Sequence, residues 1–276
     1  MKKLAFLTVL LVRVFLSCAQ TGEWDTYIAR YEKGPGSTLI NMSLKQSAPD
    51  KNYPFLFAAG VKFNNCSAEG LPGPSALNSL NKISDSIVAL INRKTDALLA
   101  GTFTYQCERK DYFYVKDTNG LKEAVKGLLD EHFKGYIAAF LVKKDREWDA
   151  YLNFLYPNEE TRDYMGNQKI IQRLQKAGDK PELPRPIDHF LLFKTEADRE
   201  CFAYTAISKK FTITAKVNSD NKAFPFSLHI SRTDRADLTS MNNLTRWFRE
   251  QVAKCRGTYD GWETIVIKQE RTDKPE

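Results

Sequence analysis

The chain has 276 residues, with 41 Lys and Arg against 34 Asp and Glu, a formal net charge of +7 and 12% aromatic residues. That length suits about two domains with packed cores. The positive charge is spread along the chain without a Lys/Arg stripe to track phosphates, which argues against nucleic acid as a partner.

The chain opens on Lys2 and Lys3, an apolar run over residues 4–12, and small residues at Ser17 and Ala19. This is the layout of a secretory leader, too short for a permanent membrane span. Arg13 is a charge inside the apolar stretch and weakens insertion. Two processing routes are open. Cleavage after Ala19 removes residues 1–19 and leaves Gln20 first. Alternatively Leu16-Ser17-Cys18 resembles the end of a lipoprotein box, with Phe15 at the usual aliphatic position against it, and Cys18 is then lipidated. Only a lipidated Cys18 would make the membrane a partner. Without Lys2, Lys3 and Arg13, 38 basic residues face 34 acidic ones, a net +4.

Residues 20–177 read as a first domain. "EWDTYI" at 23–28 alternates as a strand, and "EWDAYL" at 147–152 echoes it. Side by side, the two would pack Trp24 and Trp148 into one layer. Between them "STLINMSL" and "YPFLFAAGVKF" read as strands. Residues 75–93 read as a helix with Leu77, Leu80, Ile87 and Ile91 on one face and Ser75 as its cap. "ALLAGTFTYQC" and "DYFYVKD" read as a hairpin turning at "ERK". A helix through Leu121, Val125, Leu128 and His132 follows, then the strand "YIAAFLVKKD". "NEETRDYMGNQKIIQRLQKAG" closes the domain as a helix. The class is α+β with a mainly antiparallel sheet.

"AGDKPELPRP" carries Pro181, Pro184 and Pro186 and marks a linker at 178–186. The second domain, 187–270, ends in a tail at 271–276. An apolar strand at 187–193 leads to Thr195 and Asp198, a capping pair. Ala197, Cys201, Phe202 and Thr205 fall on one face of the helix that follows. "FTITAKV" puts Phe211, Ile213, Ala215 and Val217 on one side of a strand, and "FPFSLHI" repeats the pattern. A helix through Leu238, Met241, Leu244, Phe248 and Val252 stops at Gly257, and the last strand runs over 259–268. The order strand–helix–strand–strand–helix–strand on an antiparallel sheet is the ferredoxin-like βαββαβ sandwich.

Four cysteines besides Cys18 fall two to each domain, with no CxxC and no Cys/His cluster for zinc. An oxidising compartment would permit Cys66–Cys107 and Cys201–Cys255 disulfides. Four buried thiols acting as small hydrophobes are the other reading.

"RPIDHFLLFKTEADRECF" at 185–202 and "GTYDGWETIVI" at 257–267 resemble the regulator of ribonuclease E activity B family. The resemblance implies a domain that binds and inhibits an RNA-degrading enzyme, a protein-binding module without catalysis of its own. Asp260, Trp262 and Glu263 are its candidate partner-binding residues. Burial of Trp262 in the core, with solvation or capping for the two acids, is the plainer account. Trp24-Asp25-x-Tyr27, Tyr53-Pro54 and "WDAYLNFLYP" at 148–157 resemble the family catalogued as domain of unknown function 695, over residues 23–177. No activity comes with that resemblance.

The search for chemistry finds no catalytic residue, no metal ligand set and no cofactor motif. HExxH, GxSxG and a glycine loop ending in Lys-Ser/Thr are all missing. His132 suits a helix end, where a cation is favoured. His189 and His229 lie in strands of the second domain, near one another on the sheet. Asp145, Glu147 and Asp149 alternate on the expected strand. The resulting expectation is an exported, non-enzymatic binding or regulatory protein with an envelope partner, in the periplasm or secreted, or anchored through Cys18. An envelope hydrolase using the carboxylates, or a glycan-binding protein using Trp24 and Trp148, is the alternative.

Overall fold

The computed structural model describes residues 22–268. The leader with Cys18, the cleavage point before Gln20, and the tail at 271–276 lie outside the described residues. The chain divides into two units between Tyr156 and Pro157, each of mixed helix and strand. The expected boundary in the Pro-rich segment is therefore displaced, and the helix at 159–176 goes with the second unit.

The first unit is one sheet of six strands: β1 (Trp24–Tyr31), β2 (Gly34–Asn41), β3 (Phe55–Lys62), β4 (Ala97–Tyr105), β5 (Glu108–Val115) and β6 (Ile137–Lys144). Their order is β1-β2-β4-β5-β3-β6, and all neighbours are antiparallel. Strand alternation puts Phe57, Ala59, Val61, Phe113 and Val115 on one face. There they meet α1 (Pro74–Lys94) and α2 (Leu121–His132) in a single core. The buried stripe of α1 is Ala76, Leu80, Ile83, Ile87 and Ile91, a 3.6-residue repeat that leaves Leu77 40% exposed. Gly73 is the cap residue and Pro74 the first helical position, where its missing N–H costs nothing. Ser75 instead accepts from Asn65 Nδ2 at 3.0 Å.

The hairpin joining β4 to β5 turns at Gln106 and Cys107, both left-handed with φ of 51° and 59°. A two-residue turn of this hand matches the strand twist. The expected turn residues, Glu108 to Lys110, therefore begin β5. A disulfide joins Cys107 to Cys66. The Cys107 N–H donates to the Gly70 carbonyl and its own carbonyl accepts from Phe63, both at 2.9 Å.

On the opposite face of the sheet, residues 147–152 are not a strand. Asp145 is buried, and its carboxylate accepts from the N–H groups of Asp149 (3.2 Å) and Ala150 (3.0 Å) and from the Tyr114 hydroxyl (2.7 Å). That capping starts a π-helical turn, Ala150–Leu155. Trp148, at φ 57°, is fully buried. Its ring stacks on Tyr114 with centroids 3.9 Å apart, and its Nε1 donates to the Tyr53 carbonyl at 3.1 Å. Trp24 sits in β1 opposite Asn41, so the echoed tryptophans do not form one layer.

One acid in this unit is wholly enclosed. Asp111 accepts from Thr102 Oγ1 (2.6 Å) and Ser84 Oγ (3.1 Å), and burial pushes its carboxyl above the usual range despite those two bonds. A raised carboxyl favours the fold when protonated, and that advantage is lost as pH rises. Asp111→Asn is therefore expected to unfold at higher urea than wild type at pH 7, with the gain vanishing near pH 3.5. A variant less stable than wild type at both values would show that the charged form is the one the core requires.

The second unit begins with α3 (Glu159–Lys176). Then come β7 (Pro184–Phe193), α4 (Glu196–Ser208), β8 (Thr212–Asn218), β9 (Phe226–Arg235), α5 (Leu238–Lys254) and β10 (Gly257–Thr264). The sheet order is β10-β7-β9-β8, antiparallel throughout. Leu191, Phe193, Leu228 and Ile230 of the central strands meet Phe202, Ala206, Phe248 and Val252 of the helices. Thr195 Oγ1 caps α4 by accepting from Asp198 N–H at 3.1 Å, and Asp237 caps α5 by accepting from Ser240 N–H at 2.9 Å.

Three local patterns shift by one residue. In β8, Ile213 pairs with Ile230 and Ala215 with His229, so Thr214 is a bulge. Ala215 and Val217 consequently leave the face of Phe211 and Ile213, and Val217 is 42% exposed. His189 and His229 also part, His189 toward the helices and His229 against Phe190 on the other face. In α4 the buried residues are Asp198, Arg199, Phe202, Ala203 and Ala206, while Cys201 and Thr205 are not buried.

A second disulfide joins Cys201 of α4 to Cys255 at the end of α5, across 54 residues. Closing a loop of that size removes unfolded-chain entropy worth about 2–4 kcal/mol. Cys201→Ala/Cys255→Ala is expected to lose that much in urea denaturation. Unfolding identical to wild type would mean that the bridge does not form in the isolated protein.

The expected linker is ordered around Arg185. Its side chain is fully enclosed and pairs with Asp179, also enclosed. It donates to the carbonyls of Lys180, Leu183 (3.2 Å) and Ile265 (3.2 Å). Asp179 in turn accepts from Ile267 N–H at 2.6 Å. The Pro-rich segment thus grips the chain leaving β10.

Candidate functional site

The most specific string in the second unit is Tyr259-Asp260-Gly261-Trp262 on β10. Tyr259 pairs with Leu191 and Gly261 with Phe190, so Asp260 is an inserted bulge residue. Gly261 has φ 131°, a conformation open to glycine and strained for other residues. The extra residue reverses the alternation, so Tyr259 and Trp262, three apart, both face the helices.

Trp262 is 6% exposed and packs with Ile171, Leu174, Ile187, Ala236 and Met241. Its Nε1 donates to Asn167 Oδ1 at 2.7 Å, and Asn167 Nδ2 donates to Asn242 Oδ1 (2.9 Å) and Thr245 Oγ1 (3.1 Å). A buried indole N–H needs such a partner, and a buried amide repays its desolvation only when its atoms are bonded. Trp262 is thus a core residue and offers no surface to a partner. Asp260 and Glu263 are exposed. The structure therefore does not bring the three candidate partner-binding residues onto one surface.

Tyr259 is buried, and its ring lies parallel to Phe248 at 4.8 Å. Its hydroxyl is 2.8 Å from His189 Nδ1. Burial pushes the Tyr259 phenol up. Burial first, then the nearby Arg232 charge, hold the His189 imidazole down at about 3. Both groups are neutral at pH 7.

Above this layer runs a groove of about 470 Å³ walled by α3 and α5. Arg249 bridges it with two 2.7 Å bonds to the Asp163 carboxylate and a third to Glu159 at 2.9 Å. The Asp163 carboxylate raises the Arg249 guanidinium further above its ordinary range. Arg246 pairs with Glu160 at 3.1 Å near the rim. A second hollow of about 320 Å³ shares Asp163, Asn167, Thr245 and Arg249 and opens at the Asp260–Gly261 bulge. The lining combines these ion pairs with the amide of Asn167, the hydroxyl of Thr245 and the phenol of Tyr164. Among the described residues no group of three or more His, Cys, Asp and Glu is placed to hold a metal ion, and no helix is long and apolar enough to cross a membrane.

In the first unit, the three acids considered for hydrolysis separate. Asp145 is spent as a cap, while Glu147 and Asp149 are exposed and Asp149 accepts from Asn153 Nδ2 at 2.8 Å. With Trp148 buried, the proposed pair of exposed tryptophans is also gone. Asn167 and Arg249 escape a reading of the sequence because their partners lie 75 or more residues away, and Arg185 because its nearby partner Asp179 shows no signal of burial in the sequence.

Residues 22–156 match the family of unknown function DUF695, and residues 165–264 match the family described as regulator of ribonuclease activity B. No curated protein matches the chain. Among solved structures, an unknown protein from Galdieria sulphuraria aligns over 77% of this chain and 97% of its own. The identity is 10% and the TM-score 0.20, which carries no argument. The N-terminal region is thus a match to DUF695 and the C-terminal region a match to the regulator of ribonuclease activity B domain.

Proposed function

We propose that this chain is an exported, non-enzymatic protein-binding or regulatory module. The match of residues 165–264 to the regulator of ribonuclease activity B family carries the reading. The strand order β10-β7-β9-β8 with βαββαβ connectivity supports a ferredoxin-like sandwich for the second unit. The leader pattern at residues 1–19 and two disulfides support an oxidising compartment outside the cytosol. In the periplasm or beyond it, this domain would not meet a cytoplasmic ribonuclease. What passes from the relatives is the scaffold and the habit of binding protein, directed to an envelope partner. The exposed members of the β10 signature, Asp260 and Glu263, lie on its surface.

Affinity capture of a C-terminally tagged chain from separated envelope and cytosolic extracts tests this. The expected result is a specific protein retained from the envelope fraction. Recovery of the intact precursor, Met1 included, from cytosol with a ribonuclease bound would overturn it.

A further inference from the structure

We propose that the outer face of α4 is a docking surface for a protein segment that carries an apolar anchor flanked by carboxylates. The inference rests on the protein-binding reading above and names the surface and the chemistry of its partner. The inner face of α4 is buried through Phe202, Ala203 and Ala206. Its outer face nevertheless bears Tyr204, 80% exposed, and Ile207, 60% exposed, one turn apart. A helix with one face already in the core gains nothing in its own fold from such residues on the other. Exposed aromatic and aliphatic side chains side by side are typical anchors of interfaces.

The charges beside them identify the partner. Each acid on α4 is already matched: Glu196 with Arg199, Asp198 with Arg256, and Glu200 with Lys216. The helix ends in Lys209 and Lys210, and among the described residues no carboxylate pairs with either. Lys210 stands at φ 64°, a position at a helix end that glycine fills most readily. The outer face presents two apolar anchors, and the helix end next to Ile207 carries two cations without a paired carboxylate, complementary to an acidic segment with a hydrophobic side chain. Two lysines fall short of the four to eight cations that recruit a protein to an anionic bilayer, which favours a protein over a lipid surface.

The probe is a fluorescein-labelled model peptide of alternating Glu with Leu and Phe. Two controls replace its apolar residues by Ser or its Glu by Lys. The expected result is binding about tenfold tighter than either control, weakened by salt. It should fall about tenfold in both Tyr204→Ser/Ile207→Ser and Lys209→Glu/Lys210→Glu. Far-UV circular dichroism and urea midpoints like wild type show that the variants fold. Equal binding of the Lys peptide, or binding indifferent to both variants, overturns the proposal. So do adsorption to phosphatidylglycerol vesicles, or self-association, that the Tyr204/Ile207 variant alone abolishes. The same variants used in envelope capture separate the two levels. If wild type retains no protein, the binding reading itself fails. If wild type and variants retain the same protein equally, only the assignment to α4 fails.

Discussion

Arg185→Ala is expected to destabilise the second unit by about 3–5 kcal/mol, read as a lower urea midpoint with the first unit unchanged. The substitution leaves Asp179 ionised in a site with no exposed surface, and strips a donor from the carbonyls of Lys180, Leu183 and Ile265. Stranding a buried charge costs far more than the pair itself contributes, which makes the effect large against a total stability of about 5–15 kcal/mol. Arg185→Lys keeps the charge but loses the planar fork that reaches several acceptors at once, so it should recover only part of the loss. Arg235→Ala is the surface comparison. Arg235 is exposed, donates only to the Glu182 carbonyl at 2.9 Å, and should shift the midpoint little. Limited proteolysis gives an independent readout. Wild type should resist cutting across 178–186, while Arg185→Ala should be nicked there. Rapid nicking in wild type would mean that this segment is the open linker its prolines suggest.

Acid should act on the second unit through His189. The ring has no exposed surface and is enclosed by Phe248 (4.4 Å), Phe211 (5.7 Å) and Tyr259 (6.0 Å). Its Nδ1 meets the Tyr259 hydroxyl, and its Nε2 has no partner. Arg232 lies over the Phe211 ring at 4.1 Å and opposes a second positive charge, while Asp234 is engaged with Arg232. Across the Tyr259 ring, Arg249 is engaged with Asp163 and Glu159. With the folded imidazole held at about 3 against an ordinary 6.5, its contribution to stability is complete above pH 6.5. It is lost as pH falls toward 3. The unfolding equilibrium should therefore rise about 30-fold by pH 5 from this group alone, and the loss reaches about 4 kcal/mol at pH 3. Urea titrations of wild type and His189→Gln at pH 7 and pH 5 isolate the effect, since surface carboxylates contribute equally to both. The variant should lack the 30-fold component. His189 imidazole resonances, assigned by their absence from the His189→Gln spectrum, that titrate near pH 6.5 in folded wild type would contradict the account.

Element types were legible where periodicity is long and uninterrupted. The helix α1, the paired strands β4 and β5, and the cap at Thr195 follow from spacing alone. What escaped was set by distant partners or by one extra residue. "EWDAYL" alternates as well as "EWDTYI", but the Asp145 carboxylate two residues upstream of it captures two backbone N–H groups and starts a helical turn. The bulges at Thr214 and Asp260 reverse which side chains face the core, and a bulge is visible only in cross-strand register. Leu77 on α1 missed the stripe by one position, which depends on where the sheet lies. Three prolines correctly exclude a helix over 178–186. They say nothing of Arg185 meeting Ile265, 80 residues on.

The candidate site was legible in part. The Tyr-Asp-Gly-Trp string stood out through its resemblance to the regulator of ribonuclease E activity B family. Burial of Trp262 follows from its residue type and is present, whereas its bond to Asn167, 95 residues away on α3, was beyond a single sequence. The recognition surface had to be read from exposure. Tyr204 and Ile207 look like core residues until the helix is seen to bury Phe202, Ala203 and Ala206 instead.

The reading as an export-adapted binding module is tested most directly by the intact mass of the protein recovered from its native cells without reductant. The predicted mass is that of a chain beginning at Gln20, or at an acylated Cys18, less four hydrogens for two disulfides. A chain retaining Met1 with its five cysteines reduced would contradict it.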